Sequence, residues 1–137
     1  MINYAVLVYQ FMKKHKQPIA RYPSLAPYEL AQFRIRLIQE ELDELKREVE
    51  NNDLVLIADA LADLLYVTFG TAITYGLPID SIFDEVHRSN MTKQGRMDGE
   101  HLKVGKGVLY SPPKIKLIID QCIRVYESSN ANSNTNE

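Results

Sequence analysis

The sequence predicts an all-α fold: a bundle of four to five helices with a long basic loop before the last helix. Three observations predict it. The stretch Leu54 to Ile79 (LVLIADALADLLYVTFGTAITYGLPI) carries two charges in its whole length, Asp59 and Asp63, and reads as the buried central helix of a helical core. The segment before it repeats Ile38, Leu42, Leu45 and Val49 at spacings of four, three and four, a bundle-facing stripe. The breaks between helical segments, Asn51-Asn52-Asp53 and Gly76-Leu77-Pro78, are short, as in bundles of neighbouring helices.

The elements follow in order. Residues 2–15 place Tyr4, Val6, Leu7, Phe11 and Met12 at helical spacing, and Pro18 ends this first helix. Residues 17–27 hold three prolines and form a loop or extended arm. A second helix runs from about Pro27, well suited to be its first residue, to Asn51. Asp53 can cap the central helix, which runs to about Tyr75 and stops at Gly76, with Pro78 just beyond. A fourth helix starts at Asp80 or Ser81 and ends near Met91 or Thr92. Residues 93–113 contain four glycines, two prolines and four basic residues without helical period; this is the long loop, with room for a short hairpin around the turn dipeptide Asp98-Gly99. A last helix spans about Pro113 to Glu127, with Ile115, Ile118, Ile119, Cys122 and Val125 inward. Residues 1–127 form one domain, and 128–137 (SSNANSNTNE) read as a disordered polar tail.

Composition bounds the function. At 137 residues, 45% hydrophobic and 25% charged, the chain is an ordinary globular protein with one core. A net charge of −2 offers no basic footprint for a nucleic acid polymer. The single cysteine, Cys122, excludes an internal disulfide and a cysteine metal cluster, and reads as a small hydrophobe. The N-terminus lacks signal-peptide order. The uncharged run from Leu64 to Ile79 is short for a membrane span, and two acids stand just before it. The expectation is a soluble, cytoplasmic protein with no membrane partner.

The acids carry the chemistry. Asp59 and Asp63 are four residues apart, so they rise from one face about a turn apart. Buried carboxylates repel each other, and something positive should face them; a divalent cation is the simplest candidate. On the second helix, Glu41 and Glu44 flank the apolar stripe on one side, about −60° and −120° from Ile38, while Glu40 falls on the far side at about 160°. If the two helices pack antiparallel, Glu41, Glu44, Asp59 and Asp63 converge in a cleft. Such oxygen ligands, without histidine or cysteine, favour Mg²⁺ or Mn²⁺ over zinc. The plainer alternative is a solvated face for the glutamates and an ion pair with Arg34 or Arg36 for the aspartates. Asp84 and His87 give half of a di-iron motif, and the second half is missing.

These residues resemble the all-α nucleoside triphosphate pyrophosphohydrolase superfamily, which includes MazG-like proteins, dimeric dUTPases and phosphoribosyl-ATP pyrophosphohydrolase-like proteins. Its EExxE motif is matched by Glu40-Glu41-Leu42-Asp43-Glu44, and its ExxD-type motif by Asp59-Ala60-Leu61-Ala62-Asp63. The run Val86 to Lys93, Asp98-Gly99 and Tyr110-Ser111-Pro112-Pro113 is also similar to one branch, and the likeness covers roughly residues 24–120. One departure stands out: the usual first acid of ExxD is Ala60 here, and Asp59 offers a carboxylate one residue earlier.

The resemblance implies a MazG-like bundle that cleaves a nucleoside triphosphate into monophosphate and pyrophosphate. It implies Mg²⁺, or Mn²⁺, held by Glu41, Glu44, Asp63 and Asp59. Glu44 and Glu40 are then the two candidates for the base that activates water. It also implies a homodimer or homotetramer, which a broad apolar helix surface suits. A triphosphate needs further cations and donors. Asn90 and Lys93, with His87 at three-residue steps before them and Arg88 in the same run, are candidates, as are Arg96, Lys103 and Lys106 in the loop. Tyr110 can stack on a base or pack under the loop. Two rivals remain: a metal- and nucleotide-binding module without turnover, and a purely structural helical dimer.

Overall fold

The computed structural model describes residues 3–133. Among them are five α-helices and one two-stranded antiparallel sheet, in the order α-α-α-α-β-β-α. The chain divides into two compact units, one ending at Leu77 and the other beginning at Pro78.

The first unit holds α1 (Tyr4–Lys14), α2 (Tyr28–Asn51) and α3 (Leu54–Thr74). Asn3 caps α1, its side chain accepting from the Val6 amide at 3.0 Å. Asp53 caps α3 as its position suggested, accepting from the amides of Val55 at 3.0 Å and Leu56 at 3.1 Å. All three helices end alike. One residue at each end turns left-handed, and the next amide reaches back to the carbonyl five residues earlier: Gln17 to Met12, Asp53 to Glu48, Leu77 to Ala72. Lys16, Asn52 and Gly76 hold the left-handed positions, with φ of 53°, 55° and 65°. Pro27 stands just outside α2 rather than inside it; its carbonyl accepts from the Ala31 amide.

Two residues, Asn52 and Asp53, join α2 to α3, so the helices fold back on each other and pack along their length; α1 packs on α3 as well. The proline-rich arm is held against the end of α3. Ser24 donates its amide to the Tyr75 carbonyl at 3.0 Å, and a Cβ on Gly76 would strike the carbonyl of Tyr22.

Burial corrects one expectation. Within the single chain α3 is not a buried helix. Only Ala60, Gly70, Ala72 and Thr74 are buried along it, whereas Leu54, Val55, Leu61 and Leu65 are 79%, 77%, 46% and 59% exposed. Two neighbours cover part of its circumference, and three helices of one chain cannot cover the rest. Among the described residues, α3 is the one helix long and apolar enough to cross a membrane by length and composition. A core helix passes the same test, and α3 carries Asp59 and Asp63 and packs on α1 and α2.

The second unit holds α4 (Ile79–Asn90), β1 (Gln94–Asp98), β2 (His101–Gly105) and α5 (Ile115–Ser133). α4 starts one residue earlier than expected, because the Pro78 carbonyl takes the Ile82 amide. The stretch read as a long basic loop is in part a hairpin, with Gln94 opposite Gly105 and Asp98 opposite His101. Gly99 makes its turn with φ of 62°, which a primed two-residue turn requires. α5 packs on α4 and continues to Ser133, beyond the expected end at Glu127. The chain is also helical over 128–133, where Ser129 donates to the Val125 carbonyl and Ser133 to that of Ser129. Residues 134–137 of the expected tail lie outside the described residues.

Candidate active site

The helical hairpin α2–α3 carries both acidic motifs. Glu41 and Glu44 are half-buried, while Glu40, Asp59 and Asp63 are exposed. The Glu41 carboxyl is held above its ordinary range, first by burial, then by the negative charges of Asp63, Glu44, Glu40 and Asp59. The strongest of those charges comes from across the turn, on α3. Glutamates of α2 and aspartates of α3 thus share one electrostatic field.

Among the described residues no carboxylate of this set has a Lys, Arg or His within 4.0 Å. The ion-pair alternative is not what the chain builds. Arg36 lies over the Phe33 ring, 5.9 Å from its centroid. Arg34 is buried, 4% exposed, and donates from Nε to Thr71 Oγ1 at 3.3 Å and from Nη2 to the Val67 carbonyl at 3.1 Å.

The donor set fits a hard divalent ion in chemistry: four carboxylates on two packed helices, repelling one another without a counter-charge. In distance the set is open, for among the described residues no three acid, histidine or cysteine side chains close on a point that would hold an ion.

Beside the acids lies a cavity of about 400 Å³, within the usual size of small-molecule sites. Asp63 forms part of its wall, as do Arg34, Gln17 and the aromatic pair Phe11 and Tyr66, whose rings meet edge to face at 5.4 Å.

The remaining predicted residues sit in the second unit. His87 and Asn90 are exposed at the end of α4 and Lys93 is half-buried. Arg88 is placed in a clamp: it grips Glu85 through Nε and Nη2, both at 2.8 Å, and donates to Ser111 Oγ and the Pro112 carbonyl, each at 3.1 Å. Glu85 also takes the Lys114 amide at 2.8 Å, and these contacts hold its carboxyl down to about 2. Arg88 thereby ties α4 to the segment before α5. On the hairpin, Arg96 and Lys103 are directly opposite. Arg96 and Lys106 line a depression of about 350 Å³ with Gln94, Gly95 and Gly105. Lys103 pairs with Asp98 at 3.7 Å, and Lys106 lies 5.1 Å from the centroid of the half-buried Tyr110 ring.

A family model described as phosphoribosyl-ATP pyrophosphohydrolase matches residues 8–90. The chain belongs to that family. The match takes in α2, α3 and α4 and most of α1, hence every acid of the site, and stops before the hairpin. The family lies within the MazG-like superfamily, so the coarse class is a hydrolase acting on nucleotide phosphoanhydrides. No curated protein matches the chain.

Three features of this family member escaped the sequence reading. The cavity is one. The roles of Phe11, Gln17 and Tyr66 are a second, since their positions read only as an amphipathic helix, a loop and part of an apolar run. The third is Arg34, and here a signal existed: it stands four residues before Ile38, on the bundle-facing side of α2, with Gly70 as the partner that leaves it space.

Proposed function

We propose that the chain is a metal-dependent nucleoside triphosphate pyrophosphohydrolase, converting a (d)NTP and water to a (d)NMP and pyrophosphate. The observation that carries this reading is the gathering of Glu40, Glu41, Glu44, Asp59 and Asp63 on one helical hairpin, where burial and then the four neighbouring charges raise the Glu41 carboxyl and, among the described residues, no Lys, Arg or His lies within 4.0 Å of any of the five. A polar surface without function has no reason to hold that many like charges in one place on a half-buried edge.

In this reading Glu41, Glu44, Asp59 and Asp63 hold Mg²⁺ or Mn²⁺. When bound, the ion supplies positive charge at the phosphate oxygens. Glu44 or Glu40 takes the proton of the attacking water, the new bond forms at the α-phosphorus, and pyrophosphate leaves with the bridging oxygen. Asn90, Lys93, Lys103, Lys106, Arg96 and Tyr110 are our candidates for substrate contact. The exposed apolar side of α3 supports assembly as a homodimer or homotetramer. We place the protein in the cytoplasm, with the nucleotide pool.

Two observations favour a second reading, a binding module without turnover: among the described residues the acids stand open, and Ala60 occupies the position of a usual motif acid. Incubation with each canonical NTP and dNTP, with Mg²⁺ and then Mn²⁺, separates the two. Pyrophosphate release abolished by EDTA is the expected result. Glu44→Gln and Asp63→Asn should each stop it while leaving the helical circular-dichroism signal intact. Silence across the panel, with metal still raising the melting temperature, would favour the binding module.

A further inference from the structure

Side chains alternate across the hairpin β1–β2. Met97, Leu102 and Val104 share one face, where a Cβ on Gly95 would also meet the Leu102 side chain. Gln94, Arg96 and Lys103 share the other, with Arg96 directly opposite Lys103. Like charges so placed on a sheet cost stability, and a two-stranded hairpin is marginal by itself. Among the described residues Lys103 has Asp98 at 3.7 Å, and no carboxylate lies within 4.0 Å of Arg96 or Lys106. Residues 93–110 carry four basic side chains against two acidic ones, a net +2 in a chain of net −2.

The charged face is hollow and its cations are held in place. The depression of about 350 Å³ opens among Gln94, Gly95, Arg96, Gly105 and Lys106, and a Cβ on Gly105 would meet nothing. Lys106 is held over the Tyr110 ring. Gln94 lies against Gly107, where a Cβ would strike its amide oxygen. The Tyr110 amide closes on the Gly107 carbonyl at 3.1 Å, and the Ser111 amide on the Thr92 hydroxyl at 2.8 Å joins the two ends of the segment. Groups fixed in this way lose little freedom when a ligand arrives.

Three cations around one hollow call for an anion with charge on several centres, which a lone carboxylate does not have. The planar fork of arginine matches two oxygens of a phosphate, and lysine meets a phosphate as a point charge. We propose that the charged face of this hairpin is a binding site for a phosphate chain that works without metal, with Arg96, Lys103 and Lys106 as its cations. The choice of phosphate among anions rests on the pyrophosphohydrolase reading. The inference goes beyond that reading in separating this site from the carboxylates of α2 and α3 and in placing it outside the span that the family model matches.

The full chain, isotope-labelled and stripped of metal on a chelating resin, is titrated with tripolyphosphate, pyrophosphate, a nucleoside triphosphate and citrate while amide resonances are followed. Saturable shifts at Gly95, Arg96, Gly105 and Lys106 are expected with the phosphate chains, and weaker ones with citrate. Binding of tripolyphosphate and the nucleotide marks the substrate's tail as the occupant, and binding of pyrophosphate alone marks the product; either supports the site. Arg96→Gln should weaken binding by about threefold to tenfold. Arg47→Gln, an equal loss of charge at an exposed position of α2, should change it by less than about twofold. Equal weakening by the two variants, citrate bound as tightly as tripolyphosphate, or shifts confined to the segment from Glu40 to Asp63 would overturn the proposal. If Arg96→Gln fails to fold, the wild-type shifts still decide. Metal-free binding at the hairpin with no pyrophosphate from any nucleotide would sink the catalytic reading and spare this site. Turnover without metal-free binding would do the reverse.

Discussion

Arg34 of α2 donates from Nη2 to the carbonyl of Val67 on α3 at 3.1 Å, one helical turn beyond Asp63. That carbonyl also accepts from the Thr71 hydroxyl at 2.8 Å, so one acceptor serves the helix that owns it and the arginine crossing it. The contact fixes α2 against α3 at the end of the acidic field, and Gly70 makes it possible.

Gly70→Ala tests this contact. In an exposed helix interior the change would stabilise by about 1 kcal/mol. Here the new methyl would take the place of the guanidinium, breaking two hydrogen bonds around a buried charge. The loss outweighs the propensity, and the variant should be destabilised by about 1–2 kcal/mol in urea unfolding. A variant more stable than wild type would show that Arg34 can move aside freely.

Glu41→Gln should make the metal-free protein more stable. A carboxyl raised above its ordinary 4.5 is happiest protonated; its favourable contribution is complete below that value and is lost as pH rises through the raised value. At neutral pH the ionised group is therefore a liability, and glutamine removes it. Melting in EDTA at pH 7 should rise by roughly 1–3 °C, discounted for partial exposure. The gain should vanish at pH 4, and metal should no longer stabilise the variant.

Glu85→Gln should act in acid with the opposite sign. The Arg88 side chain and then the Lys114 amide hold this carboxyl at about 2, below its ordinary 4.5. Its contribution is present above pH 4.5 and fades as pH falls toward 2. The gap in melting temperature between wild type and variant should thus be full at pH 6 and narrow between pH 4.5 and 2. A gap constant over that range would mean that the clamp does not depend on the charge of Glu85.

Assembly makes a thermal prediction too. If the exposed apolar side of α3 is covered by another copy, the melting temperature should climb with protein concentration. Leu61→Glu, at a position 46% exposed in the single chain, should lower it and abolish the concentration dependence. A concentration-independent melt in both would leave α3 uncovered.

Much of this was legible beforehand for identifiable reasons. Asp59 and Asp63 stand out because charge is rare in an apolar run, and Glu41 and Glu44 because their spacing puts them on the edge of a stripe. Asp53 and Gly76 mark helix ends by the chemistry of capping. Arg34 was harder: the sequence offers it as an ion-pair partner for the aspartates, and only the Cβ-free Gly70, 36 residues on, shows where it goes. The serine-rich end of α5 reads as disorder because polar, low-complexity composition carries no apolar helical period. The burial of α3 was misjudged because hydrophobicity says that a surface will be covered and not by what.

The connection Asn52-Asp53 leaves a lasting mark on this design. All four proposed metal ligands ride on one hairpin closed by two residues, so their mutual register depends on that turn and on the packing of α2 against α3. A single residue inserted within α3 between Leu54 and Asp59 would swing the register of Asp59 and Asp63 by about 100° relative to the residues before it and scatter the acids. Insertions in the hairpin β1–β2 or in α5 would leave that register untouched. The chemistry is thus carried by a short cassette that can be inherited whole, while the remainder of the chain is free to drift toward new substrates.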